Sequence, residues 1–368
     1  MVDTRNLSRA LSDLSARRLL SDRKSAKSDA TAILCWGKAA WDFYRLRKSA
    51  KHALVISPDA GETLSRHHSH VGEHPIPGLG SLRAGVALVE FFMELRGAQV
   101  KKLDVYLSGG ASSIAWLLPE LISYAELFDE LTHLYQQPLT IQQLNRRRAK
   151  FDLLKAGGSA KLAHMVSPDL KIQVYCVSDV MPFGLESIGS GPFFNRKTRH
   201  ILLADNSTLR KSLAKTFKAR DEGFVPGDAI QVRRKIIQNV KRALKNGRAQ
   251  TLVFGCEPSV SLLASNGRGG RQTHLACLLL TQFLQQIKDE RLEIICSSSD
   301  GSDGNANASG AALGVKNIPI IAPALFLRSV QKAIDERDTA TFLNSLHALI
   351  PNQRTGTNVQ DVVIIRVL

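Results

Sequence analysis

The sequence contains no apolar run of about eighteen residues, the length a bilayer-spanning helix needs. Its first residues lack the apolar segment and small-residue cleavage site of a secretory leader. The expected address is therefore the cytoplasm, without a membrane partner. Cysteine is scarce: Cys35, Cys176, Cys256, Cys277 and Cys296 form no CxxC and pair with no histidine at zinc-ligand spacing. All five are expected to be reduced core residues. Aromatic residues make up only 6%, and no RNA- or DNA-binding motif occurs, which argues against nucleic acid as a partner. GxxxxGK[ST] is absent and no strand-like run is followed by GxGxxG, so neither a P-loop NTPase nor a dinucleotide-binding fold is expected.

Negative charge is also short. Thirty-three Asp and Glu face 49 Lys and Arg, a net charge of +16, which favours anionic partners without choosing among them. The densest basic stretches, the N-terminal stretch to Lys51, Arg146-Arg147-Arg148 with Lys150 and the run 233–248, fall in predicted helices, where a solvated face is the ordinary explanation.

At 368 residues the chain is too long for one ordinary core, and its 44% hydrophobic content is that of a globular protein. Short β-rich runs at 32–36, 52–57, 104–107, 171–177, 200–203, 251–254 and 293–296 alternate with helical patterns at 81–96, 141–155, 207–220, 230–245, 272–288, 323–335 and 339–349. The first twenty-odd residues predict one further amphipathic helix. This rhythm predicts an α/β protein of two lobes, with mostly parallel sheets flanked by helices. The basic helix 230–245, followed by Asn246-Gly247, places the boundary between domains 1–248 and 249–368.

Several strands end in glycine, serine or aspartate, where open α/β sheets bind their ligands. Gly37-Lys38 offers close backbone approach and a point charge for a phosphate or carboxylate. Ser108-Gly109-Gly110-Ala111-Ser112-Ser113 follows a strand directly and leads into a helix start, the layout of a phosphate cradle or of a tight turn with a serine cap. Asp179, at the end of another strand, suits Mg²⁺ or a turn, and Ser190-Gly191 lies just beyond. Gly267-Arg268-Gly269-Gly270-Arg271 opens a helix after the strand that leads to Glu257, combining a guanidinium fork with backbone N–H groups. Asp300-Gly301-Ser302-Asp303-Gly304 is not an EF-hand loop, because no glutamate closes it.

Taken in order, these segments resemble the glycerate 2-kinase family, whose members join a large N-terminal domain to a C-terminal MOFRL domain and often carry a hydroxypyruvate reductase label. The resemblance runs from Ala32 to the C-terminus. It rests on the motifs above with His74-Pro75-Ile76-Pro77, Asn145, Arg148 and Lys155, Ser178-Asp179-Val180, Ser190-Gly191-Pro192, Glu257-Pro258-Ser259-Val260, Gly310-Ala311 and Thr355-Gly356-Thr357-Asn358-Val359. It implies an active-site cleft between two α/β lobes, ATP and Mg²⁺ as cofactors, and a glycerate-like substrate phosphorylated at its C2 hydroxyl. Lys38 and Arg271 are then the implied catalytic cations and Asp179 the metal carboxylate. Gly37, Ser108, Gly109, Gly110, Ser112, Ser113, Asn145, Arg148, Lys155, Ser190, Gly191, Glu257, Gly269, Gly270, Asp300 and Asp303 would bind substrate or nucleotide. Oligomeric state is left open, a dimer included.

Departures accompany the match. Pro182-Phe183 replaces the family's usual Gly-Asp, Gln272-Thr273-His274 its Asn-Gln-Glu, and Gly78 an aspartate. Ala156 replaces a glycine, Asn307 an aspartate and Phe193 a threonine. Most of these remove negative charge, so a weakened or inactive homologue that senses a nucleotide or small anion is the competing expectation.

Overall fold

The computed structural model describes residues 4–21, 30–65, 67–74, 76–120, 122–137, 143, 147–148, 150–180, 184–260, 267–353 and 355–368. The chain divides into two compact units, Ala16–Leu203 and a second that joins Met1–Ser15 to Ala204–Leu368.

The first unit is built on six strands: β1 (Ala32–Trp36), β2 (His52–Ser57), β3 (His68–Val71), β4 (Lys102–Leu107), β5 (Lys171–Val177) and β6 (Thr198–Ala204). Their order is β3-β2-β1-β4-β5-β6, and β1 pairs in parallel with both β2 and β4. The pairings β2 with β3 and β4 with β5 are parallel too. β1 is buried along its whole length, as a central parallel strand covered on both faces must be. Helix Leu79–Gly97 covers it with Leu88, Phe91, Phe92 and Leu95, which share a core with Leu34, Trp36, Val105 and Val174. Phe193 belongs to this core as well, edge-on to Trp36 at 6.2 Å. Its apolar ring fills core space between the sheet and helix Leu79–Gly97, edge-on to Phe92 as well at 6.5 Å.

The second unit carries β7 (Arg220–Val225), β8 (Gln250–Cys256), β9 (Leu292–Ser298), β10 (Ala308–Leu313), β11 (Leu349–Pro351) and β12 (Asp361–Val367), in the order β11-β10-β9-β12-β8-β7. Here the parallel expectation holds only for β7 with β8. β12 runs antiparallel between β8 and β9, and β10 is antiparallel to both β9 and β11. The central helix Arg271–Lys288 buries Leu275, Leu279, Phe283 and Ile287 against this sheet.

Contacts divide the chain at 204 rather than near 248, because the segment between these positions packs on the second sheet. Helix Ala229–Lys245 is capped by Asp228, which accepts the Gln231 N–H at 2.8 Å. Its Val232, Ile236, Val240 and Ala243 lie one turn apart in the core of the second unit, while Arg234, Lys241 and Lys245 are exposed. The basic run is therefore a solvated face. The N-terminal segment is two helices, Thr4–Asp13 and Ala16–Ser21, not one. The predicted helix 141–155 falls partly outside the described residues, and residues 150–155 run through turns and a bend instead. All five cysteines are buried and free.

Candidate active site

In the first unit the parallel order brings the ends of β1, β4 and β5 side by side, and the glycine-rich segments with them. Beyond β1 the chain crosses to β4: Lys38 donates its N–H to the Gly109 carbonyl at 2.9 Å, and the Ala39 N–H reaches Ser108 Oγ at 3.1 Å. Gly37 has φ +128°, and a Cβ there would lie 2.5 Å from the Ser108 carbonyl oxygen, so only glycine permits this crossing. Gly110, at φ +84°, turns the chain into the short helix Ala111–Ile114. A Cβ on Gly110 would lie 3.2 Å from both Lys38 Cγ and His74 Cδ2. The Lys38 stem and the His74 ring therefore flank the same bare stretch of backbone.

Beneath this loop lies a buried cationic pair. Arg148 and Lys155 both donate to the Ser112 carbonyl oxygen, at 3.0 and 2.9 Å, and Trp116 Nε1 donates to it at 2.9 Å. The Lys155 ammonium sits 4.0 Å from the Trp116 ring centre and is ion-paired with Asp152. Burial pulls the lysine down to about 8, against the pull of Asp152 and with the help of Arg148. Asp152 in turn accepts the backbone N–H groups of Leu117 and Leu154 at 3.1 and 3.0 Å. Both cations thus hold the loop that was expected to bind the anion. Ser190 and Gly191 act alongside: the Ala156 and Gly157 N–H groups donate to their carbonyls at 2.9 and 2.7 Å.

Two other expectations concern this unit. At Gly78, where the resemblance led to an aspartate, Glu73 accepts the N–H groups of Gly78, Gly80 and Ser81 at 3.1, 3.0 and 2.8 Å and caps helix Leu79–Gly97. Asp179 is half-buried just beyond β5. Asn145, Pro182 and Phe183 lie outside the described residues. Among the described residues no three His, Cys, Asp or Glu side chains gather to hold a metal ion by themselves. A Mg²⁺ that arrives with nucleotide phosphates needs only one or two protein carboxylates.

In the second unit the functional candidates meet at the ends of β8 and β9. Asp303 accepts the N–H groups of Gln272 and Thr273 at 2.9 and 2.8 Å, so a protein carboxylate already caps helix Arg271–Lys288. Burial raises the Asp303 pKa, and these hydrogen bonds oppose the shift. The Gly269 N–H goes to Asn305 Oδ1 at 2.7 Å and the Gly270 N–H to Thr273 Oγ1 at 2.8 Å. The two glycines serve close approach: a Cβ on Gly270 would lie 2.3 Å from Asp303 Oδ1. Asp300 accepts the Ser302 N–H at 3.1 Å and orders its own turn.

Arg271 is a half-buried cation of this cluster, held by two carboxylates. Its Nη1 donates to Glu257 Oε1 at 2.8 Å, and its Nε pairs with Asp361 Oδ2 at 2.7 Å. Asp361 was not expected from sequence, although an aspartate heading the apolar run 362–365 was the available signal. Burial pushes Asp361 up to about 7, with Arg271 pulling it down. The same pairing outweighs desolvation at Arg271, which stays charged. Gln272, one of the departures, donates its side-chain amide to Asp361 Oδ2 at 2.8 Å.

Residues 2–216 match the model of a domain of unknown function, DUF4147, and residues 250–361 match the MOFRL family. The glycerate 2-kinase of Sulfurisphaera tokodaii is 23% identical, covering 91% of this chain and 90% of the relative. The D-glycerate 2-kinase of Thermotoga maritima is 25% identical over 91% and 90%. The crystal structure of a Thermotoga maritima glycerate kinase superimposes with a TM-score of 0.83 at 21% identity, covering 99% of this chain and 98% of that one. With DUF4147 across the first half, MOFRL across the second and these relatives alongside, the chain belongs to the glycerate 2-kinase family.

Proposed function

We propose that this chain transfers the γ-phosphoryl group of ATP to the C2 hydroxyl of D-glycerate, giving 2-phosphoglycerate. The observation that carries this reading is the likeness to D-glycerate and glycerate 2-kinases over about nine-tenths of both chains. Phosphoryl transfer asks a protein for positioning and charge neutralisation rather than covalent chemistry. The cations assigned to that role are Lys38, set at the crossing from β1 to β4 in the first unit, and Arg271, the first residue of helix Arg271–Lys288 in the second.

The residues divide into those that touch the reactants and those that hold them in place. Lys38 flanks the loop at Gly110, where a phosphate or carboxylate would meet backbone N–H groups, and buried Ser113 donates its hydroxyl to the Gly110 carbonyl at 3.1 Å, which holds the loop in shape. Arg148, Lys155 and Trp116 act beneath it, fixing the Ser112 peptide. Asp179 would hold Mg²⁺, which when bound neutralises phosphate charge. Arg271 offers an always-charged fork suited to the equatorial oxygens of the transferring group.

Incubation with ATP, Mg²⁺ and D-glycerate, followed by phosphorus NMR, tests the proposal. A product phosphorylated at C2 is expected. Transfer to C3, or ATP hydrolysis with glycerate untouched, would overturn it.

A further inference from the structure

From the geometry around Arg271 we infer that Asp361 is a positioning residue, which fixes the plane of the guanidinium before substrate arrives. This rests on the reading of Arg271 as a phosphoryl-binding cation. β12 runs antiparallel to both its neighbours, so its first residue lies opposite Cys256 and Ser298, the last residues of β8 and β9. That register delivers a carboxylate to the end of the sheet where Arg271 begins its helix. The Asp361 side chain is 0% exposed, whereas those of Arg271 and Glu257 are 35% and 37% exposed.

A guanidinium has five N–H donors, one on Nε and two on each terminal nitrogen. Asp361 takes the Nε donor at 2.7 Å and one Nη2 donor at 3.4 Å, and Glu257 takes one Nη1 donor at 2.8 Å. Among the described residues, one donor remains without a partner on Nη1 and one on Nη2. Both belong to the half-exposed tip of the fork, and two oxygens of a phosphoryl group match them in number. The carboxylates differ in strength as anchors. Glu257 is open to water and its ion pair is screened, while Asp361 is sealed in and holds one orientation. Second contacts steady each: Gln272 Nε2 reaches Asp361 at 2.8 Å and Gln360 Nε2 reaches Glu257 at 2.8 Å. The substituted Gln272 thus has a defined task on the carboxylate rather than on a ligand. A fork fixed in advance needs no reorganisation as charge spreads in the transition state.

Asp361→Asn keeps the size and removes the charge. A kcat reduced by about tenfold or more, with KM for ATP and glycerate within about threefold, is the signature of a contact that matters only in the transition state. Gln272→Ala, which leaves the Arg271 pair intact, should lower kcat by less. Nitrogen-15 NMR reads the clamp without turnover: the Arg271 Nε–H should exchange slowly in the wild type and quickly in Asp361→Asn. Folded Asp361→Asn with kcat within twofold of wild type overturns the inference, as does fast Nε–H exchange in the wild type. Should Asp361→Asn fail to fold, unchanged kcat and unchanged exchange in Gln272→Ala also overturn it. A wild type with a protected Nε–H and no kinase activity supports the clamp and removes the proposed function instead.

Discussion

The Lys155 ammonium donates to the carbonyl oxygen of Ser112 at 2.9 Å, in a place that water barely reaches. A cation expected to grip substrate instead grips the loop that would grip substrate. Its own counter-ion is Asp152, 2% exposed, so the pair is a buried one. Removing one partner strands the other, which is where such pairs show their energetic weight. Lys155→Met should therefore destabilise the fold by about 3 kcal/mol in urea unfolding. Adding Asp152→Asn should recover part of that loss. A double mutant no more stable than Lys155→Met would show that the ion pair is not the source of the effect.

Gly110 and Gly97 make a second, contrasting pair. At Gly110 the backbone is left-handed and a methyl group would press on Lys38 and His74 at 3.2 Å. Gly110→Ala should cost about 1 kcal/mol or more and displace Lys38, with turnover falling further than stability explains. Gly97 closes a helix with nothing within 4 Å of its added Cβ. Gly97→Ala should stabilise by about 0.5 kcal/mol and leave kcat unchanged. Thermal unfolding and steady-state kinetics on the two variants check both signs.

Charge at Arg271 should matter where charge at Arg147 does not. Arg271→Ala removes the proposed fork and leaves buried Asp361 without its cation. Turnover should drop by about a thousandfold or more, with a stability loss of about 3 kcal/mol. Arg147 is exposed and bonds Gln137 Oε1 at 2.7 Å. Arg147→Ala should change stability by less than about 0.5 kcal/mol and leave kinetics alone. Equal losses in both would mean that the basic residues act as a diffuse patch.

The sheet of the first unit was legible because its strands are short apolar runs that stop at glycine, serine or aspartate; β1, β2 and β5 lie where the runs 32–36, 52–57 and 171–177 predict them. The second sheet was harder to read. β7 is Arg-Asp-Glu-Gly-Phe-Val, an edge strand too charged to look like one, and β10 is built from small residues that carry little pattern. Its antiparallel pairings also lie between segments far apart in sequence, which no local periodicity reports. The site shows the same division. Glycines at strand ends mark where backbone must approach, and Gly37 and Gly110 could be found that way. Which partner a cation chooses is a tertiary fact: Arg148 and Lys155 turn to a peptide carbonyl, and Asp361 is hidden at the head of an apolar strand.

The acid stability of the second unit should depend on His274, the last of the three substituted residues at the start of the central helix. It is buried, and burial first and Arg337 second push its pKa from 6.5 down to about 4. An unfolded chain carries an ordinary histidine there. Between those two values the unfolded state therefore binds more protons than the folded one, so stability rises with pH across that window and is lost as pH falls from 6.5 towards 4. Asp361 works in the opposite sense, since its folded pKa of about 7 lies above the 3.8 of a free aspartate and favours the folded state at lower pH. A wild-type profile alone would blend the two, and a variant separates them. His274→Gln keeps a polar side chain and cannot titrate, so its stability should fall less than that of the wild type between pH 6.5 and 4. Urea unfolding at half-unit pH steps gives the difference directly. Parallel curves for wild type and variant would mean that the imidazole is protonated as easily in the folded protein as outside it.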